Sequence, residues 1–424
     1  MKKEEKEINN IYNELKKGIT ITNTPEYSNL VNFSENLSLP RHRWFEIKEG
    51  FSAEIIKKLI KRFDGNEEDL VFDPFSGSGT TLVVSKELNI PSFGFEVNPF
   101  LAFICKNKLY NKKINLSKHI SIIKNLKIKS NLKSPKLSIS QKLFEKQLSL
   151  ILTIRDYINN IDNKEERDLL KLTFLCSLEK ASSAKKDGNG LKYPRNKIPE
   201  PIIKLMINKI KEIEEDINNY PLGKADSIIF NEDVRKLEKF TPDKLKKYSG
   251  RVSLCLFSPP YMNCFDYAEI YKIELWFGDF IKEYSDLKYL RAASLDSHLN
   301  KSFNKEKSFN NKYVSFFSDI ISKKDIWNKK IPFMIEGYFE DMKKTLKGIY
   351  LLLKEGGKCV IIVGNSAYGN IAVPTDLILG KIGLSMGFQK CNIEIARRLG
   401  TSSQQYQKIN DLSILRESLV ILEK

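Results

Sequence analysis

At 424 residues, with 41% hydrophobic residues and 25 phenylalanines, the chain can bury a large core, which favours one big domain with insertions or two domains. The formal net charge of +17 and the pI near 9.3 indicate a polyanionic partner such as nucleic acid, although a lysine-rich surface can also serve solubility. No apolar run approaches the roughly 18 residues that span a bilayer. The six cysteines form no CxxC pair and the three histidines are far apart in sequence, so we expect no metal site, no disulfide framework and a cytoplasmic location.

The first hundred residues begin with a polar arm and lead into a strand-and-helix pattern. Residues 1–39 are rich in Asn and Lys, and we expect a short helix and a loose N-terminal arm. Within the stretch from Pro40 to Phe63, the apolar spacing at Ile55, Ile56, Leu59 and Ile60 predicts an amphipathic helix. Short β-rich runs then alternate with helical patterns, which is typical of a parallel α/β sheet. These runs lie at residues 70–75, 92–98, 227–230, 252–257 and 358–364, with two further strands near 388–395 and 413–422.

Two stretches interrupt the alternation. Residues 101–226 are too long for one crossover and are largely helical in pattern. Their first fifty residues hold twelve lysines against one acid, Glu145, a net charge of +11. This basic helical insertion is expected to bind phosphates, and a solvated basic face is the alternative. Residues 279–330 mix basic and aromatic residues and form a second candidate nucleic-acid segment.

A glycine-rich loop, DPFSGSGTT at residues 73–81, follows the first of the β-rich runs. Gly77 and Gly79 would allow the close backbone approach that a nucleoside needs at the end of a strand, although an ordinary βα turn also uses glycine. Glu96 ends the next run, roughly twenty residues on, where a carboxylate can accept from both ribose hydroxyls. No lysine follows Gly79, and Leu82 stands where a dinucleotide fingerprint has its third glycine. Asp73 would repel a pyrophosphate and suits a cation, so the loop favours S-adenosylmethionine.

Two more chain positions complete the pattern. Asp233 follows the run at 227–230, where it could accept from an adenine amino group or cap the next helix. Ser258-Pro259-Pro260-Tyr261 ends the buried run at 252–257. Two prolines make this segment stiff and leave its carbonyls free as acceptors. Such acceptors beside an aromatic face could hold the amino group of a planar base, while a core aromatic is the alternative for the tyrosine.

DPFSGSGTT, FEVNP and SPPY together resemble the amino-methylating DNA methyltransferases, which modify cytosine N4 or adenine N6. The resemblance implies an α/β, Rossmann-like, seven-stranded S-adenosylmethionine-dependent sheet whose last strand is antiparallel. It implies a methyltransferase core from residues 40–100, 227–278 and 331–424, with 101–226 as a possible target-recognition region. Carried onto this chain, the cofactor-binding residues are Phe51, Asp73, Phe75, Ser76, Gly77, Gly79, Thr80, Glu96 and Asp233. The residues that hold the target base are Ser258, Pro259, Pro260 and Tyr261.

The expected reaction is direct displacement onto the amino group of a flipped-out base in double-stranded DNA, without metal or membrane. In the resembling family serine before the two prolines goes mainly with cytosine, so we expect cytosine N4 methylation within a restriction–modification system that includes a cognate endonuclease. Adenine N6 methylation, an RNA base methyltransferase and a non-catalytic nucleic-acid-binding protein are the alternatives.

Overall fold

A computed structural model of the chain describes residues 2–188, 190–239, 246–303, 309–400 and 409–424. The parts of the predicted segments at 1, 189, 240–245, 304–308 and 401–408 lie outside the described residues. Within the described residues, no helix combines the length and apolar character needed to cross a membrane.

Eight strands form one mixed sheet in the order β1-β11-β12-β8-β7-β2-β3-β6. The described ranges contain twelve strands, which are β1 (Thr20–Asn23), β2 (Val71–Asp73), β3 (Ser92–Phe95), β4 (Lys185–Asp187), β5 (Gly190–Lys192), β6 (Ser227–Phe230), β7 (Val252–Phe257), β8 (Leu353–Gly364), β9 (Ser366–Tyr368), β10 (Ile371–Val373), β11 (Lys390–Arg398) and β12 (Arg416–Glu423). β12 runs antiparallel to both neighbours and the other pairs of this sheet are parallel, so the predicted Rossmann-like α/β class is confirmed.

The sheet has one strand more than the seven expected. β1 pairs in parallel with β11 at the edge, from Thr20 opposite Asn392 to Asn23 opposite Ile395. Its side chains are mostly exposed, so its sequence carries little of the apolar signal by which strands are recognised. The arm before it is not loose, because the first helix buries Ile8, Tyr12 and Leu15 and the Tyr12 hydroxyl donates to the Ala372 carbonyl at 2.7 Å.

Fifteen α-helices lie around the sheet in the described residues. They are α1 (Lys2–Lys16), α2 (Ala53–Arg62), α3 (Thr80–Glu87), α4 (Pro99–Lys108), α5 (Lys118–Lys124), α6 (Ser140–Phe144), α7 (Leu148–Asn159), α8 (Lys164–Ala181), α9 (Ile202–Asn219), α10 (Tyr267–Ile270), α11 (Lys272–Phe277), α12 (Tyr284–Ala293), α13 (Lys312–Ser322), α14 (Ile331–Leu352) and α15 (Thr375–Ser385). The amphipathic helix predicted before the first strand run is α2, whose apolar side chains are buried against the sheet. Ser52 caps it by accepting a hydrogen bond from the Ile55 amide.

The apolar core has three clusters. One contains side chains of α1, α13, α14 and α15 together with the sheet. Another lies around α2 and includes side chains of five strands of the sheet, β2, β7, β8, β11 and β12. The third joins the inserted helices α4 to α9 with α10, α11 and α12. Residues 265–290 therefore pack with the insertion, although β6 and β7 separate the two segments along the chain. The sheet thus presents the carboxyl ends of β2, β3, β6 and β7 at one edge, and the insertion packs beside that edge.

A buried carboxylate joins the insertion to the segment before α2. Asp216 of α9 is fully buried and accepts hydrogen bonds from the Arg41 amide at 2.7 Å and the Trp44 indole nitrogen at 2.8 Å. The Arg43 guanidinium completes an ion pair with the same carboxylate at 2.5 Å. Four donors therefore meet on one side chain, since Arg43 donates through both Nε and Nη2.

We expect Asp216→Ala to lower the free energy of unfolding by about 3–5 kcal/mol, because it leaves buried donors without an acceptor. Urea unfolding measures this change. The neighbouring Glu215 is exposed and serves as the control, since Glu215→Ala should change stability by less than about 0.5 kcal/mol. Equal stability of the two variants would contradict the role of Asp216.

Candidate functional site

The glycine-rich loop lies between β2 and α3 and has the tight geometry that the sequence predicts. Gly77 and Gly79 have φ values of 50° and 88°, in the left-handed region that favours glycine. A Cβ atom on Gly79 would lie 2.5 Å from the Cys105 sulfur, and one on Gly77 would lie 2.8 Å from Ile47 Cδ1. The Ser76 hydroxyl closes the turn by donating to the Asp73 carbonyl at 3.0 Å. Larger residues at either glycine would therefore be strained and would also clash.

Glu96 holds two loops together at the end of β3. Its Oε2 accepts a hydrogen bond from the Gly77 amide at 2.9 Å, and its Oε1 accepts one from the Asn98 amide at 2.7 Å. Burial raises the pKa of Glu96 to about 7, and the backbone donors only partly oppose this shift. The carboxylate is thus anchored, and it lines a cavity where further donors could reach its remaining lone pairs.

Asp73 lies below the surface of the loop. Its Oδ1 accepts from the Phe75 amide at 2.9 Å, and its Oδ2 is buried without a hydrogen-bond partner among the described residues. Burial raises the pKa of Asp73 to about 7, and the nearby charge of Glu96 adds to the shift. Two carboxyl groups with raised pKa values beside one loop are typical of a site that receives a cation or hydrogen-bond donors.

A cavity lies at the carboxyl ends of the parallel strands. It brings together nine of the predicted residues, which are Phe51, Phe75, Ser76, Gly77, Thr80, Glu96, Asp233, Ser258 and Pro260. Asp73, Gly79, Pro259 and Tyr261 do not line it. A mostly apolar cavity with a few convergent carboxylates has the character of a cofactor site.

Asp233 is held by an arginine as well as lining the cavity. Its carboxylate accepts from Nε and Nη2 of Arg235, both at 2.9 Å, and from the Arg235 amide at 3.0 Å. Arg235 also reaches Asp341 at 2.8 Å. The hydrogen bond from the Arg235 amide agrees with a capping role for Asp233. Asp233 also lines the cavity, so its contact with an adenine amino group stays a prediction.

Several wall residues carry no motif and were missed by sequence reasoning. They are Ile47, Glu49, Tyr267, Leu290, Ser294 and His298. Tyr267 belongs to an apolar stripe whose spacing is equally typical of a core. Residues 290–298 come from the segment expected to contact nucleic acid; Leu290 packs with the inserted helices, whereas Leu295 packs with the cluster that contains the sheet and α14. Burial lowers the pKa of His298, which keeps its imidazole neutral at pH 7.

The SPPY segment leaves β7 between this cavity and a second one. Ser258 and Pro260 line the first cavity, whereas Tyr261 lines the second. Glu49 lines both, so the two cavities adjoin. The Tyr261 hydroxyl donates to Glu417 at 2.5 Å, and its ring packs on Gly364, where a Cβ atom would lie 3.0 Å away.

The arrangement can hold two planar ligands at once. The first cavity offers carboxylates to a nucleoside, and the second offers an aromatic ring and charged side chains. Ser258 lies at the first cavity with a neutral hydroxyl, three residues from the ring that lines the second. Among the described residues, no three His, Cys, Asp or Glu side chains are grouped to hold a metal ion.

Comparison with known proteins identifies relatives of the chain. Residues 1–107 match a family model described as DNA methylase. The type II methyltransferase M.BsoBI of Geobacillus stearothermophilus is 28% identical, over 96% of this chain and 91% of the relative. The type II methyltransferase M.AvaI of a Nostoc species is 26% identical, over 89% and 85%. The structure of the rRNA methyltransferase AviRa from Streptomyces viridochromogenes aligns with 92% of both chains at 9% identity, with a TM-score of 0.30 that is too low to support a closer relationship.

We expect Glu96→Gln to weaken S-adenosylmethionine binding by about 10- to 100-fold, because charge-assisted hydrogen bonds to the ribose contribute on the order of 1.5–3 kcal/mol together. Calorimetric titration measures the affinity. Ligand donors favour the ionised carboxylate, so binding to the wild type near pH 7 should release protons. Titration in buffers of different ionisation enthalpy should show a smaller release for Glu96→Gln.

The exposed Glu54 on α2 is the matched control, and Glu54→Gln should bind the cofactor as the wild type does. If Glu96→Gln left the cofactor affinity and the proton release unchanged, the assignment of Glu96 to the ribose hydroxyls would be wrong.

Proposed function

We propose a specific reaction for this chain, which is a DNA methyltransferase of the amino-methylating N4/N6 family and uses S-adenosylmethionine as its methyl donor. The reaction is transfer of the methyl group to the exocyclic N4 amino group of cytosine in double-stranded DNA. The observation that carries this proposal is the position of SPPY between two adjoining cavities, one with Ser258 and Glu96 and the other with Tyr261. A cofactor and an extruded base could then meet at Ser258.

The residues of the first cavity fit the methyl donor. Glu96 keeps lone pairs for the ribose hydroxyls, Phe51 provides an apolar wall, and Gly77 lets the backbone approach closely. When bound, the donor supplies a sulfonium methyl group with a good leaving group.

The chain must bring the amino nitrogen of a base to this cavity. That nitrogen is paired and stacked within a duplex, so the nucleotide has to be flipped out at a cost of a few kcal/mol. Tyr261 would stack on the extruded ring in the second cavity, which offsets part of this cost. The Ser258 hydroxyl and a carbonyl beside Pro259 would accept from the amino hydrogens and aim the nitrogen lone pair at the methyl group.

This mechanism needs no covalent enzyme intermediate. Cys264 is the cysteine next to SPPY in sequence, and its sulfur lies 3.6 Å from the Tyr368 hydroxyl and 3.7 Å from the Met334 sulfur. Burial raises the pKa of Cys264, so the thiol stays protonated at neutral pH. Cys264 therefore acts as a packing residue.

The choice of cytosine rests on Ser258. A neutral hydroxyl is a weaker acceptor than a carboxylate, and in the family serine at this position goes mainly with cytosine. Adenine N6 is the second candidate because its amino group could use the same acceptors. We also propose that the enzyme protects DNA against a cognate endonuclease, as its type II relatives' names imply for restriction–modification.

The lysine-rich part of the insertion is proposed to contact DNA phosphates. Eleven of the twelve lysines in residues 101–150 are exposed. The exception is Lys108, which is buried against the Ser78 hydroxyl at 3.2 Å. Lys118, Lys129 and Lys136 form ion pairs with acidic side chains, which leaves most of the exposed lysines for a polyanion.

The product identifies the reaction. We expect unmethylated phage DNA, incubated with the enzyme and isotope-labelled cofactor and digested to nucleosides, to contain labelled N4-methylcytosine by mass spectrometry. Ser258→Ala should slow turnover at least tenfold without changing cofactor affinity, because the hydrogen bond it removes acts on the target base. Ser249→Ala is the control, since Ser249 is exposed and lines neither cavity. Labelled N6-methyladenine would overturn the choice of base, and an unmethylated product would overturn the function.

Neutralising four exposed lysines, by Lys112→Gln, Lys113→Gln, Lys124→Gln and Lys127→Gln together, should flatten the salt dependence of DNA binding. The slope of log K against log salt concentration should fall by about 0.9 for each phosphate that the variant no longer neutralises, while the methylated sequence stays the same. Fluorescence anisotropy across a salt series measures the slope. Matched changes at Lys3, Lys6, Lys58 and Lys61 are the control. Equal slopes for the two variants would show that the lysines of the insertion form a solvated face without phosphate contacts.

A further inference from the structure

A β-bulge near the end of β11 sets the direction of one arginine. The register between β11 and β12 shifts between Ile395 and Arg397, so Arg397 lies directly opposite Glu417. Directly opposed residues of an antiparallel pair have their side chains on the same face. Bulges next to active sites commonly change the direction of a side chain in this way. The next residue, Arg398, is exposed.

Arg397 and Tyr261 are held by the same carboxylate. Glu417 has a side chain only 3% exposed, and its Oε2 accepts from Arg397 Nε at 2.7 Å. Its Oε1 accepts from the Tyr261 hydroxyl at 2.5 Å. All three residues line the second cavity. The guanidinium is thus fixed beside the ring proposed to stack on the base.

The two terminal nitrogens of Arg397 remain available. Within the part of the chain that the structure describes, only its Nε makes a hydrogen bond. The side chain is 34% exposed, so its terminal N–H groups can face the cavity. A guanidinium presents its donors as a planar fork, which matches two adjacent acceptors.

Cytosine and adenine differ in the groups that lie beyond the amino group along their pairing edge. Cytosine continues with two acceptors, N3 and O2, whereas adenine continues with the single acceptor N1 and then a C–H group. Glu49 lies at the passage to the cofactor cavity, where an acceptor suits the amino end of either base. Two adjacent donors at the far end of the pairing edge match the N3 and O2 acceptors of cytosine, whereas adenine presents only one acceptor there.

We infer that Arg397, positioned by Glu417, is the residue that selects cytosine, by donating to N3 and O2 of the extruded base. This inference rests on the proposed function, and it assigns a base-recognition residue to the second cavity. Glu417 is a positioning residue in this scheme, because it acts through Arg397 and Tyr261.

The test uses the full chain and DNA duplexes that contain the methylated site, once sequencing has mapped that site on phage DNA. One duplex carries the natural target cytosine, and the other carries adenine at the same position. Arg397→Gln should lower kcat/KM on the cytosine duplex by about 10- to 100-fold, the usual worth of a bidentate base contact. On the adenine duplex it should change kcat/KM by less than about threefold, and cofactor affinity should stay unchanged.

Two further variants separate base reading from damage to the fold. Arg398→Gln removes the neighbouring positive charge and should leave both rates as in the wild type. Arg397→Gln alone leaves Glu417 buried without its cation, which can destabilise the chain. Arg397→Gln combined with Glu417→Gln removes both charges, and it should melt close to the wild type while keeping the loss on cytosine.

The outcomes distinguish the inference from the proposed function. A wild type that methylates neither base overturns the function, and with it the inference. A wild type that methylates cytosine while Arg397→Gln matches Arg398→Gln overturns the inference alone. Equal losses on the cytosine and adenine duplexes also overturn it, because Arg397 would then shape the cavity without reading the base.

Discussion

Two backbone amides donate to one carboxylate, that of Glu96, and the cofactor cavity depends on this convergence. The amides of Gly77 and Asn98 belong to the loops after β2 and β3, so one side chain sets the distance between them. The cost is burial, which raises the pKa of both Glu96 and Asp73 to about 7. Carboxyl groups with raised pKa values stabilise a fold below their ordinary pKa values near 4, and this contribution is lost as the pH rises through about 7. Of the two, Glu96 lines the cavity, where a ligand that donates to it would favour the ionised carboxylate.

The remaining walls of the cavity depend on how the insertion packs. Helices α10, α11 and α12 share an apolar cluster with the inserted helices, and Tyr267 and Leu290 of these helices line the cavity beside the glycine-rich loop. Asp216 joins the same insertion to the segment that carries Phe51. The insertion therefore helps to position walls of the cavity and also carries a basic surface.

The second cavity is organised by charge. Glu417 is buried between a phenol and a guanidinium, and each donates to one of its oxygens. Burial and this carboxylate raise the pKa of Tyr261 well above its usual range, so the phenol remains a donor at any physiological pH. Gly364 leaves room for the ring, since a methyl group there would press on it. Ring, carboxylate and guanidinium form a rigid unit, which suits the capture of a base that has left its stack.

Local sequence determined the elements and half of the site. Alternation of β-rich runs and helical patterns is a short-range signal, and it predicted the parallel sheet and the amphipathic α2, whereas the antiparallel last strand was implied by the family resemblance. The loop at 73–81, Glu96 and Ser258 were also predictable, because glycines at a tight turn and polar residues at strand ends are local necessities of a nucleoside site. The edge strand β1 was missed because its exposed residues carry no apolar period.

Only the tertiary structure decided which distant residues meet at the site. His298 and Glu417 carry no motif, and nothing in their neighbourhoods links them to residues 73–96 or 258–261. The direction of Arg397 depends on a bulge, which shifts one strand against its partner by one residue and leaves no mark in the hydrophobic pattern. Sequence patterns report which backbone each segment prefers, whereas the register of β11 on β12 and the packing of the insertion are set by the joint burial of side chains that lie far apart along the chain.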